Sequence, residues 1–217
     1  MTEPATGSVL PVAFFQRPAE DVARALLGMV VVSRIRGTLT AGRIVETEAY
    51  AGAIDPAAHA YRHRLHPGNA SLYAAPATWY VYRSYGIHWC ANLVCQGPEA
   101  GAAVLLRALE PLVGLATMRR RRGNRPDREL AAGPGRLTQA LGITRSLDGR
   151  HMPGAKVVVV RQEPVRDADV AVTPRVGITK AADWPLRYVI AGSPWVSRAI
   201  GARTPRASAP GSGGGRR

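Results

Sequence analysis

The run Met29–Arg36 is rich in β-branched residues, and Gly37 breaks it before a second extended run, Thr38–Tyr50, begins. Two such runs joined across a glycine read as neighbouring antiparallel strands. β-Branched side chains pack well on a pleated surface, and glycine permits the reversal. That pair constrains everything downstream, because a strand pair with buried faces must recruit further strands and cover them. Trp79–Cys95 supplies a β-hairpin with Tyr85 and Gly86 near its tip, and Ala102–Leu109 reads as a buried strand. Lys156–Arg161 and Arg187–Ala191 read as further strands. Helices are expected at Pro18–Gly28, Pro111–Arg122 and Arg136–Leu141. In the first, Pro18 suits the opening position, Glu20 and Asp21 face the positive end, and Gly28 can close it. The second ends in arginines, the favourable sign for a helix C-terminus. Gly52–Ala77, rich in Pro, Gly, His and Ala, reads as one long surface loop, and loops of that length usually carry function or move. The expected fold class is α+β, a single domain on a mainly antiparallel sheet.

A chain of 217 residues is long enough for one domain with a real core and short for two. The expected organisation is an N-terminal extension over residues 1–15, a main domain over 16–200 and a disordered basic tail over 201–217. The tail expectation rests on the Gly, Ser, Pro and Arg content of Arg203–Arg217. Glu3 and Pro11 interrupt what could be a leader, and no window approaches the ~18 apolar residues needed to cross a bilayer. Cys90 and Cys95 are the only cysteines, too few for a disulfide framework or a zinc finger. A cytoplasmic monomer is expected. Lysines and arginines number 29 against 15 acids, a net charge of +14. Such an excess points to a polyanionic partner, since each phosphate contacted releases counterions. Generic solubility and the arginines of the tail are the alternative account of the charge.

The residue types that could carry chemistry cluster in four places. On a regular strand Ile44, Glu46, Glu48 and Tyr50 share one face, with the two carboxylates roughly 6.5 Å apart. They read either as a solvated edge or as a general base beside an aromatic surface at a strand end. His59, in the loop, reads as a surface residue or as one wall of a pocket. In the hairpin, Tyr80 and Tyr82 share a face, with core packing favoured for Tyr80. Tyr85 at the tip has little core to reach and could wedge into a base step. Asn92 on the return strand would need hydrogen-bond partners if buried. Arg107, in the strand Ala102–Leu109, needs a charge partner, either Glu110 or Glu48. Arg119–Arg122 with Arg125 and Arg128 form a basic block suited to phosphate. No Walker or Rossmann glycine loop and no metal-ligand spacing is present, so no cofactor and no metal is expected.

The segments RIVETEAY (43–50), AAH (57–59), YVYRSYGIHWCAN (80–92), VLLRALEP (104–111), GPGRLTQALGI (133–143) and GSPWVS (192–197) together resemble the alkyladenine (3-methyladenine) DNA glycosylase family. The likeness runs from about Arg24 to Ser197. It implies a curved, mainly antiparallel sheet with surrounding helices and a protruding β-hairpin, acting without metal or cofactor on double-stranded DNA that carries damaged purines. It implies that Glu48 activates the attacking water with Arg107 close by. It further implies that Tyr50, His59, Tyr82, Asn92 and Leu105 line the base pocket and that Tyr85 fills the gap left in the duplex. Two features depart from the family pattern. Gly68 stands where an arginine is usual, which leaves a DNA or hairpin-bracing contact open there, and the link Gln96–Ala103 is slightly longer. Lysine is scarce, only Lys156 and Lys180, and neither lies near a motif, so Schiff-base lyase chemistry is not expected. Two other readings fit part of the sequence: a basic nucleic-acid-binding module without catalysis, and a two-carboxylate hydrolase using Glu46 with Glu48.

Overall fold

In the computed structural model, which describes residues 7–200, strand β2 (Thr40–Tyr50) lies at the centre and bonds to three neighbours. Strand β1 (Val30–Ser33) pairs with its first half, and β5 (Ala102–Val113) runs along its whole length. Strand β8 (Arg187–Ile190) takes the side of its second half that β1 leaves free. The hairpin of β3 (Trp79–Ser84) and β4 (His88–Cys95) extends the sheet beyond β5. Strand β6 (Val157–Val160) closes the other edge on β1, and β7 (Val170–Thr173) pairs with β8. All of these pairings are antiparallel, and among the described residues the eight strands form one open sheet with four helices around it.

Helix α1 (Ala19–Leu26) has Pro18 at its cap position and Glu20 and Asp21 in its first turn. Its Ala19, Val22, Ala23 and Leu26 enter the main core, and the Thr47 hydroxyl of β2 donates to the Ala23 carbonyl at 2.8 Å. The second helix differs from the expectation. Strand β5 runs on through Pro111 to Val113, and α2 (Leu115–Arg122) begins only after Gly114. Pro111 lies opposite Gly42 at a register shift, the kind of ladder irregularity to which proline in strands is confined. Helix α3 (Asp127–Leu130) and strand β7 carry no strong periodic signal and were not expected from sequence. Helix α4 (Pro134–Leu141) packs on β4.

The segment 52–77 folds as short 3-10 turns held against the sheet. Ala60, Leu72, Tyr80, Val94 and Ala103 form a small separate core beneath it. Gly52 anchors its start, since a Cβ there would lie 1.9 Å from the Ala100 carbonyl oxygen. Of the first fifteen residues, Val9 bridges to Val160, and Leu10 and Phe15 are buried in the main core. The basic segment 201–217 lies outside the described residues. Among the described residues no helix is long and apolar enough to cross a membrane.

Candidate active site

Paired irregularities in β2 and β5 build the charged centre of the site. Ile44 pairs with Leu109 and Glu46 with Ala108, so Val45 is an extra residue; Thr47 then pairs with Leu106, which makes Arg107 extra on the other strand. Each bulge flips the alternation of its strand. Ile44 therefore does not share a face with Glu46 as simple alternation predicts; it joins Ala49 in the main core. Glu46, Glu48 and Tyr50 take the opposite face, and the bulged Arg107 reaches both carboxylates from β5.

The two acids sit in different surroundings. Glu46 accepts from Arg107 Nε at 2.9 Å, Arg187 Nε at 2.7 Å, and the Ser197 hydroxyl and backbone N–H at 2.8 and 2.5 Å. Burial pushes its carboxyl pKa up, but the two guanidiniums and the hydrogen bonds from Arg187 and Ser197 outweigh that and hold it low. Glu48 accepts from the Tyr50 hydroxyl at 3.0 Å and Arg107 Nη1 at 3.3 Å on one oxygen, and from the Val176 N–H at 2.7 Å on the other. Burial dominates here and raises its pKa above the ordinary value, against the opposing pull of Arg107, Val176 and Tyr50. Neither carboxylate is solvent-exposed. Arg107 is thus the partner of Glu46 and Glu48, while Glu110 faces Arg43 at 3.6 Å.

Beside this centre lies a cavity of about 800 Å³. Tyr50, His59, Tyr82, Asn92 and Leu105, the five pocket residues expected from sequence, all line it, as does Arg107. Glu48 sits just behind that wall, bonded to Tyr50, Arg107 and Val176. Tyr80 and Tyr82 stack with ring centroids 5.3 Å apart, and His59 meets Tyr82 edge-on at 4.5 Å. Tyr80 packs in the small core as expected and also braces the pocket wall, because its hydroxyl lies 2.7 Å from His59 Nδ1. Burial pushes the tyrosine pKa well up and, together with nearby His66, pushes the histidine pKa down. Both shifts favour the uncharged forms of the two rings that share this hydrogen bond. Asn92 is buried between β3 and β5, and its side-chain amide donates to the Tyr80 carbonyl at 3.0 Å.

Tyr85 stands at the tip of the hairpin with 89% of its surface exposed. It and Gly86 both take left-handed backbone angles, at φ 49° and 67°, as a tight hairpin turn of the right twist requires. The basic block is less free than the sequence suggests. Arg119 makes a two-pronged ion pair with Asp127, and Arg121 and Arg122 donate to the Ala140 and Leu130 carbonyls. Gly68 leaves room for His66: a Cβ there would press on the imidazole at 3.1 Å, and its N–H donates to His66 Nδ1.

Several residues of the site escaped sequence reasoning. Arg175 is buried in an ion pair with Asp55, donates to the Ala49 carbonyl, and holds its guanidinium 4.7 Å from the Tyr50 ring centroid. Val176, Arg187 and Ser197 contribute the donors described above. All four lie more than a hundred residues from Asp55 and the acids of β2, and no local spacing links them. The one available hint is that Arg175 and Arg187 fall among apolar or turn residues, where a charge needs a partner.

A family profile described as methylpurine-DNA glycosylase (MPG) matches residues 13–194. The chain belongs to that family. The DNA-3-methyladenine glycosylase of Homo sapiens is 46% identical over 203 residues, covering 87% of this chain and 67% of the human one. The Mus musculus enzyme of the same name is 46% identical over 200 residues, covering 85% and 60%. A Burkholderia orbicola protein provisionally named a 3-methyladenine DNA glycosylase is 47% identical over 199 residues, covering 90% and 94%.

Proposed function

We propose that the chain is a monofunctional DNA glycosylase of base excision repair. It flips alkylated or deaminated purines from double-stranded DNA and hydrolyses the N-glycosidic bond with a water activated by Glu48. The observation that carries this reading is the state of Glu48. It is a fully buried carboxylate with three donors against about four acceptor positions, and it is fixed against the wall of an aromatic cavity. The remaining position, on the oxygen that faces Val176, suits a water.

In the proposed reaction Tyr85 enters the duplex stack as the damaged nucleotide leaves it, which is least costly for a base that pairs and stacks poorly. Tyr50, His59 and Tyr82 stack on the base, Leu105 lines its edge, and Asn92 crowds the exocyclic amine of normal guanine. Glu48 takes a proton from the water as its oxygen bonds to the sugar carbon. The electron pair of the breaking bond goes to the base nitrogen, and the nearby negative charge steadies the oxocarbenium-like sugar. The products are the free base and an abasic site. Arg107 keeps Glu48 ionised in its buried setting. The scheme asks for no metal or cofactor. The rival two-carboxylate hydrolase is disfavoured, because the three donors to Glu48 all line the cavity, whereas of the residues holding Glu46 only Arg107 does, and Arg187 and Ser197 tie that acid into a buried ion network. Lys156 and Lys180 are both exposed and neither lines the cavity, which argues against a Schiff-base lyase.

Release of free 3-methyladenine from alkylated duplex DNA tests the proposal. Glu48→Gln is expected to lower the single-turnover rate by at least about 100-fold, the lower range for a general base, while damaged-duplex binding persists. Wild type that binds without releasing base would instead support a binding module. A strand-nicked product trapped by borohydride would overturn the monofunctional part.

A further inference from the structure

A second cavity, of about 470 Å³, lies on the opposite face of the same hairpin. Alternation along β4 fixes the sides. Cys90 and Asn92 border the first cavity, Ala91 and Leu93 enter the main core, and Trp89 lines the second, joined at the strand's start near the tip by His88. Ile87, at the exposed tip beside Tyr85, forms one end of this groove, so it continues from the hairpin tip. Arg36 and Arg121 line it from the far side, and none of its lining residues is a carboxylate. Arg36 is exposed, and among the described residues no acid or carbonyl pairs with its guanidinium. Arg121 donates to the Ala140 carbonyl and rests on Gly142, where a Cβ would come within 3.1 Å of its guanidinium carbon. Burial and the like charges of Arg120 and Arg36 push the Arg121 pKa down, which marks a place short of anions.

We propose that this groove receives the phosphate backbone of the undamaged DNA strand. The inference rests on the glycosylase reading above. A two-stranded hairpin is about 5 Å between strand axes, and the minor groove it would enter is about 6 Å wide, so one DNA backbone passes each face. The nucleotide that turns into the Tyr82 face belongs to the damaged strand. The intact strand then runs past the Trp89 face, over two guanidiniums set close together without an acid. Such an arrangement fits a polyanion better than a protein surface.

The test pairs protein variants with a duplex in which neutral methylphosphonate linkages replace phosphates either opposite the lesion or beside it on the damaged strand. Neutralising the undamaged strand is expected to weaken wild-type binding several-fold and to leave Arg36→Gln little changed. Neutralising the damaged strand should weaken both alike. The slope of log Kd against log salt for Arg36→Gln should fall by about 1. Arg36 is exposed, so this variant does not depend on Arg121, which braces α2 against α4. Equal sensitivity of wild type and Arg36→Gln to the neutral undamaged strand overturns the proposal, including the case in which a protein partner occupies the groove. Base release by wild type from the unmodified duplex is followed in the same series. Its absence would sink the glycosylase reading itself, whereas release without a strand-specific effect sinks only the groove assignment.

Discussion

Glu46 and Glu48 leave the same strand with the same side-chain chemistry, yet their carboxyl pKa values move in opposite directions, because burial outweighs the neighbouring donors at Glu48 and is outweighed by them at Glu46. For Glu48 the consequence is kinetic. A general base must be ionised, and burial raises its pKa above the usual 4.5, so the acid limb of the single-turnover rate is expected above that value. Arg107 is the largest influence lowering it, so Arg107→Gln should shift the limb to still higher pH. An unshifted limb would mean that another group controls it. For Glu46 the consequence is structural. Its pKa is lowered on folding, so its contribution to stability is present above the unfolded value and is lost as pH falls through the folded one. Glu46→Gln leaves two buried guanidiniums short of a counter-charge and is expected to cost about 3–5 kcal/mol in urea unfolding. A cost much below 1 kcal/mol would show that the cluster is not acting as a buried ion network.

At the scale of elements, the bulges in β2 and β5 and the hairpin of β3 and β4 do most to position the site. The bulges turn Glu46, Glu48 and Arg107 to one side while Ile44 and Ala49 stay in the core. The hairpin carries the aromatic wall on one face and a basic groove on the other. Tyr85→Ser is expected to weaken binding to a damaged duplex while leaving thermal unfolding unchanged, because the ring touches solvent and not core. Unchanged affinity in a fluorescence-anisotropy titration would remove the wedge role. Much of this hairpin could be read from sequence, since alternation pairs Tyr80 with Tyr82 and a Tyr-Gly dipeptide marks the turn. The bulges could not, because one inserted residue leaves no trace in composition and is stabilised only by the strand opposite. The overrun of β5 through Pro111 has the same origin: a local rule against proline in strands gave way to the shift opposite Gly42.

For the whole molecule, the net charge of +14 suits a protein of this family to approach duplex DNA, and we propose that it does so as a single protomer. Sedimentation is expected to give one protomer; a stable dimer would require the hairpin faces to be reconsidered. The acids, the cavity and the hairpin all lie within residues 7–200, so removing residues 203–217 is expected to leave base excision at saturating DNA intact. Abolished excision would show that the arginine-bearing tail takes part.

The sequence alone determined the α+β class, most strands, the first helix and, through its family motifs, five of the residues that line the cavity. These are carried by short-range signals: alternation, capping residues, turn dipeptides, and motifs whose members lie within a few positions of one another. Tertiary structure alone decided which acid is bonded to the cavity wall and which is held in an ion network, because the donors from Val176, Arg187 and Ser197 arrive from distant chain. It also decided that two cavities flank one hairpin. Burial and charge pairing depend on which segments meet in space, and the chain encodes that only through the fold as a whole.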